Sequence, residues 1–195
     1  MSEQSKITQW TKTAKVFHWV IAVLILVQIP LGFYAVRQRN NFLLTLDLSR
    51  FEELVATFNW HKSIGLLIGA MMILRLGWRL TQGVPSRDAL PPVLKLAAVA
   101  GHAALYLAVF ASAASGYLIN EAVNYQIDFL WLFEIPNLLT IDDAGQELAE
   151  LVHKILAWFL SGLVVLHIAA SLYHHFGLKD DTLINMLPFG GGQKR

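Results

Sequence analysis

The amino-acid sequence predicts an all-α fold, a single membrane domain in which four helices cross the lipid and pack as a bundle. Three observations carry this: too few charges for a water-facing surface, four apolar runs of membrane length, and a one-sided distribution of lysine and arginine around them. Of the 195 residues, 55% are hydrophobic and 15% are charged, with a mean hydropathy of +0.50. Soluble domains carry about 25% charged residues, so the natural solvent here is lipid. The net charge is +1 and no basic run is present, so no nucleic-acid partner is expected. Cysteine is absent. That excludes disulfides, thiolate zinc sites, iron–sulfur clusters and thioether-linked haem, and leaves His, Met or carboxylates to hold any metal.

A helix needs about 20 apolar residues to cross the hydrocarbon core. The first run, Val16–Val36, has no charge inside it and contains Pro30, a candidate kink. The polar residues before it, and the lack of a small-residue cleavage site before Arg37, mark it as a retained span rather than a removable signal. The second run is Trp60–Leu80, with Lys62 at one end and Arg75 and Arg79 towards the other. Pro85, Pro91 and Pro92 separate it from the third, Leu94–Ile119. The fourth, Leu148–Phe176, carries Lys154 in its first two turns. The closing residues 189–195, FGGGQKR, read as a flexible tail.

Orientation follows from basic residues in the flanks. Lys6, Lys12 and Lys15 precede span 1; Arg79, Arg87 and Lys95 surround the span 2–3 link; Lys179, Lys194 and Arg195 follow span 4. The span 3–4 loop has no basic residue and holds Glu121, Asp128, Glu134, Asp142, Asp143 and Glu147. The span 1–2 loop is mixed, with Arg37, Arg39 and Arg50. The bias places both termini in the cytoplasm. Tyr125, Phe129, Trp131 and Phe133 in the acidic loop are expected to anchor a short helix at the interface.

The histidines carry the chemistry. His18, His61, His102, His153, His167, His174 and His175 all lie within or at the ends of spans. An ionisable residue in a membrane is costly without a partner and marks function by default. Any one of them at a span end reads as well as a headgroup contact, but the set has geometry. His153 and His167 are fourteen residues apart, which puts them on nearly the same helix face about 21 Å apart. His174 is on that face again; His175 is off it and reads as a headgroup contact. Bis-histidine haem needs two imidazoles at one depth from different helices. Alternating span directions match His61 with His153 near the outer surface and His18 with His167 near the inner one. This predicts two haem b groups stacked across the membrane, with these four histidines as iron ligands. His102 lies at the inner depth too; it is an alternative partner for His167, or a residue behind the ligands.

Small residues make room for a bulky planar guest: Gly65 and Gly69 follow His61 in steps of four, Gly162 lies between the histidines of span 4, and Gly32 and Gly116 sit in the other helices. Helix packing through small residues gives the same pattern. Arg75 is the candidate for a haem propionate or quinone site, because arginine pairs bidentately with carboxylates. Lys62 and Lys154 follow the proposed outer ligands and either neutralise propionates or snorkel to the interface.

These stretches, KVFHW, HKSIGLLIGAMMILRLGWR, GHAALYLAVFASAASGY, ELVHKILAWFLSGLVVLHIAASLYHHF and KDDTLINMLP, resemble the bacterial cytochrome b561 family, which is similar to the cytochrome b subunits of nickel–iron hydrogenases. The similarity runs from about Thr13 to Pro188. It implies a dihaem respiratory-chain protein of the cytoplasmic membrane, with ligands at His18, His61, His153 and His167 and quinone exchange at the cytoplasmic-side haem. One branch of the family oxidises superoxide on the outer side and reduces ubiquinone, so an oxidoreductase of that type is one expectation. The carboxylates of the span 3–4 loop oppose an anion there, although Arg37, Arg39, Arg50, Lys62 and Lys154 are also near. His174, Lys179 and Arg75 are the candidates for binding quinone or delivering its protons. The second expectation is a haem subunit without catalysis of its own that docks a periplasmic electron donor through the acidic loop. A cofactor-free transporter or scaffold is the third.

Overall fold

The computed structural model describes residues 10–83, 85, 91–123 and 126–188. Lys6, Arg87, Tyr125, Lys194, Arg195 and the tail lie outside them. Four helices are long and apolar enough to cross a membrane. They are α1 (Lys12–Thr45), α2 (Phe51–Gln82), α3 (Pro92–Ala122) and α4 (Asp143–Leu172), the last continued by one π-helical turn, Tyr173–Leu178. Each contains the corresponding apolar run and extends past it. At 34 residues, α1 is roughly 51 Å long, well beyond an apolar core of about 30 Å. Its extra turns, Arg37–Thr45, begin with the polar run Arg37–Asn41 and end in the apolar Phe42, Leu43 and Leu44.

The boundaries have local causes. Thr11 caps α1 by accepting the Ala14 amide at 3.2 Å, and its hydroxyl also takes the Trp78 indole N–H at 3.0 Å. Glu52 and Glu53 sit in the first turn of α2, where the helix dipole favours negative charge. Gly83, at φ 73°, ends that helix in a conformation other residues resist. Pro92 starts α3, since the first turn needs no N–H from it. Asp142 caps α4 through the Gly145 amide at 2.9 Å. Pro30 does not break α1, which runs through it; transmembrane helices tolerate proline where neighbours and local adjustment satisfy the freed carbonyl.

The helices form two close hairpins, α1 with α2 and α3 with α4, joined most tightly through α2 and α3. The faces of α1 and α2 towards α4 are not among the close ones. Ile21, Ile68, Met72, Ala108, Val109 and Leu160 form a buried cluster in mid-bundle, with Phe17, Ile64, Tyr106 and Leu163 packed round it. Val23, Leu74, Leu107 and Leu166 lie outward and are 58–70% exposed, which is the surface lipid covers.

The span 3–4 loop differs from expectation. In place of an interfacial helix it holds a two-stranded antiparallel ribbon, β1 (Ile127–Phe129) and β2 (Phe133–Ile135). The reason is visible in the residues: apolar side chains alternate in Ile-Asp-Phe and Phe-Glu-Ile, a period of two. The turn between them puts Leu130 (φ 51°) and Trp131 (φ 57°) in the left-handed region, a strained choice for bulky side chains. Bonds to α2 hold it there. Asn59 Nδ2 donates to the Asp128 carbonyl at 2.7 Å, the Leu130 amide donates to the Ser63 hydroxyl at 3.0 Å, and Trp131 packs edge-on against Trp60 at 4.7 Å. Glu121 is not on the exposed loop but buried on α3, where it accepts the amides of Leu138 and Leu139 at 2.7 and 2.5 Å. Replacing Glu121 by Ala should free this strap. Chymotrypsin should then cut the detergent-solubilised protein at Phe129–Phe133 several-fold faster than wild type, with the helices left intact.

Candidate functional site

Two groups of imidazoles meet inside the bundle, one at each end. At the end bearing the α1–α2 and α3–α4 connections (the loop end), His61 of α2 faces His153 of α4 with ring centroids 6.2 Å apart and planes at 90°. At the end bearing the termini (the terminal end), His18 of α1 faces His167 of α4 at 6.1 Å and 71°. His102 of α3 also lies beside His167, at 5.7 Å. Both principal couples cross the wide face between the two hairpins, whereas His102 and His167 belong to one close hairpin.

Each imidazole is backed by the other helix of its own hairpin. His153 Nδ1 lies 3.0 Å from the Ser112 carbonyl oxygen and 3.0 Å from the Ser115 hydroxyl, both on α3. Gly116 lies against the same ring, and a Cβ there would stand 3.1 Å from Cε1. His61 lies against α1: a Cβ at Gly32 would stand 2.7 Å from its Cε1, and Gln28 donates to the His61 carbonyl at 2.9 Å. The His61 Nδ1 and Gln28 Oε1 atoms are buried without a hydrogen-bond partner. Behind His18, Arg75 Nη1 of α2 lies 3.0 Å from Nδ1, and Arg75 Nε donates to the Tyr106 hydroxyl at 3.1 Å. A guanidinium only donates, so that Nδ1 carries a lone pair. Behind His167 stands His102, whose own Nδ1 lies 2.5 Å from the Ala98 carbonyl.

The remaining candidates lie beyond α4. His174, in the π-helical turn, donates from Nδ1 to Asp180 Oδ2 at 2.5 Å, and the Thr182 amide holds Asp180 Oδ1 at 2.9 Å. Lys179 ends the turn, exposed and left-handed at φ 54°, with no tie to the imidazole couples among the interactions described. His175 packs on Phe176. The chain then returns across the bundle, where Trp19 Nε1 donates to the Met186 carbonyl at 2.8 Å next to His18. The Arg79 guanidinium lies over the rings of Trp10 and Tyr106. Gln28, Ser112, Ser115, Tyr106 and Asp180 were not among the residues singled out from the sequence. A lone glutamine inside an apolar run was a readable signal; serines in a small-residue helix were not.

The residues suit haem. Neutral imidazole from two different helices is a donor set that would hold haem iron, and the ring centroids of each couple are 6.1 or 6.2 Å apart. Both couples open onto the wide face, and glycines on α1 and α3 let the rings at the loop end sit back against their helices.

A bundle of four membrane-length helices with imidazoles paired across its interior is the construction of an integral-membrane cytochrome. Residues 9–189 match the family model described as prokaryotic cytochrome b561, and the chain belongs to that family of membrane electron carriers with b-type haem. It is 35% identical over 179 residues to cytochrome b561 homolog 2 of Escherichia coli, a match covering 88% of this chain and 87% of the relative. It is 27% identical over 129 residues to cytochrome b561 homolog 1 of the same organism, and 30% identical over 132 residues to the probable superoxide oxidase CybB of Yersinia pestis. Each of these covers 66% of this chain and 73% of the relative.

Two expected outcomes follow from this geometry. A Cβ at Gly32 must displace His61, so Gly32→Ala should lower haem content per chain by pyridine haemochrome assay; Gly116→Ala, with its longer contact, should lower it less. Burial raises the Asp180 carboxyl, but the bonds from His174 and Thr182 outweigh it and hold the group below the usual carboxylate range. A depressed folded value stabilises above the unfolded one and is lost as pH falls through it. Asp180→Asn should therefore lower thermal stability near neutral pH and lose that difference as the pH falls into the acid range, which flattens the acid limb.

Proposed function

We propose that this chain passes electrons across the bacterial inner membrane through two haem b groups, with both termini in the cytoplasm and quinone as the acceptor at the terminal end. The observation that carries the reading is the pair of imidazole couples, 6.1 and 6.2 Å between centroids, at opposite ends of one wide face. His61 with His153 would hold the loop-end haem and His18 with His167 the terminal-end haem. Bound haem supplies the one-electron iron couple; the chain supplies its position, its charge and its shielding from water. His102 serves behind His167, because α3 and α4 pack too closely for a macrocycle between them. Ligation by His18 through Nε2 puts the proton on Nδ1, so Arg75 must turn from that nitrogen to an anion such as a propionate. The Tyr106 hydroxyl keeps the guanidinium close for it.

At the terminal end, quinone reduction needs protons as well as electrons. His174, held by Asp180, has its second ring nitrogen available to move one, and Lys179 and Arg75 add positive charge on that side. The similarity to a protein named probable superoxide oxidase makes superoxide one candidate donor at the loop end. A second reading rests on the exposed carboxylates of Glu134, Asp142, Asp143 and Glu147, which suit a cationic periplasmic donor whose encounter salt would weaken.

A reduced-minus-oxidised spectrum with pyridine haemochrome quantitation should give about two b haems per chain. His153→Ala should abolish the loop-end haem, His18→Ala the terminal-end one, and His102→Ala neither. Loss of haem in His102→Ala with retention in His18→Ala would exchange the ligand assignment. A colourless protein from haem-replete cells would end the cytochrome reading.

A further inference from the structure

We propose that Ser115 is the positioning residue for His153, and that with the Ser112 carbonyl it sets the reduction potential of the loop-end haem separately from the other. The inference rests on His153 being an iron ligand. A backbone carbonyl can only accept, so its 3.0 Å contact fixes the proton on Nδ1 and leaves the Nε2 lone pair facing away from α3, towards the wide face. The Ser115 hydroxyl lies 3.0 Å from the same Nδ1 and donates to the same carbonyl at 3.1 Å. Ser115 is 5% exposed, so water does not compete for its hydroxyl.

No other described member of the couples has this support. His61 Nδ1 is buried without a partner, and His18 Nδ1 faces a guanidinium that can only donate. Oxygen acceptors on the outer N–H of a ligating imidazole increase its basicity, and a more basic ligand favours ferric over ferrous iron. The α3 step Ser112–Ser115–Gly116 thus does two things at one ring: glycine lets it approach, and the two oxygens decide where its proton is. Tuning one ligand of one couple lets the two haems differ although all four ligands are histidine.

The test replaces Ser115 by Thr, which keeps the hydroxyl, and by Val, which has nearly the same shape without it. Anaerobic redox titration of the alpha bands follows both haems, with low-temperature EPR of the ferric state as a second readout. The proposal expects about two haems per chain in each, with one midpoint shifted positive and one low-spin signal moved in Ser115→Val, and wild-type values in Ser115→Thr. If the added methyl disturbs haem binding in both, Ser115→Ala decides, with the same positive shift expected. Equal potentials in wild type, Val and Ala variants would overturn the proposal. Retention of both haems by His153→Ala would instead overturn the ligand assignment beneath it.

Discussion

An imidazole buried in a membrane needs a polar partner, and most of this structure can be read from that need. Water is absent from the hydrocarbon core, so each ring must find its hydrogen bonds within the protein. Folding into hairpins brings a polar neighbour to His18 and His153, while the Nδ1 of His61 stays buried without a partner. Within each hairpin one helix carries a histidine and the other backs it: Arg75 behind His18, Gln28 and Gly32 behind His61, Ser112, Ser115 and Gly116 behind His153, and His102 behind His167. The outward faces of the rings are left to meet across the hairpins.

Two different packing regimes result. Inside a hairpin the helices approach closely, as small residues on facing helices allow in membranes. Between α4 and the first hairpin the link is made by side chains, with Phe33 on Trp158 towards the loop end as well as the couples themselves. The apolar cluster around Ile68 and Leu160 fills mid-bundle and keeps the two ends distinct. At the loop end, the ribbon on α2 and the Glu121 strap on α3 tie one loop to both hairpins. At the terminal end the Trp19–Met186 bond does the same for the returning chain.

The four spans and the depth matching of the histidines could be read from sequence because both depend only on helix rise and lipid thickness. His61 with His153, and His18 with His167, follow from counting residues. What lay behind each ring could not be counted, because helix rotation about its axis decides it; Ser115 and Tyr106 look like ordinary span residues until α3 is oriented. The interfacial helix expected around Trp131 failed for a related reason: its aromatics suit an amphipathic helix, but the flanking period of two and the carbonyl contacts to Asn59 select a ribbon. His102 illustrates depth without direction: it shares a level with His167 but sits on the neighbour packed against it.

Both couples draw their second member from α4, which leaves the ribosome after the other three spans. While the first three helices enter the membrane, His18 and His61 have only their hairpin neighbours, and neither level has its facing ring. A nascent chain stopped after α3 has half of each couple, and the arrival of α4 supplies the facing ring at both levels together.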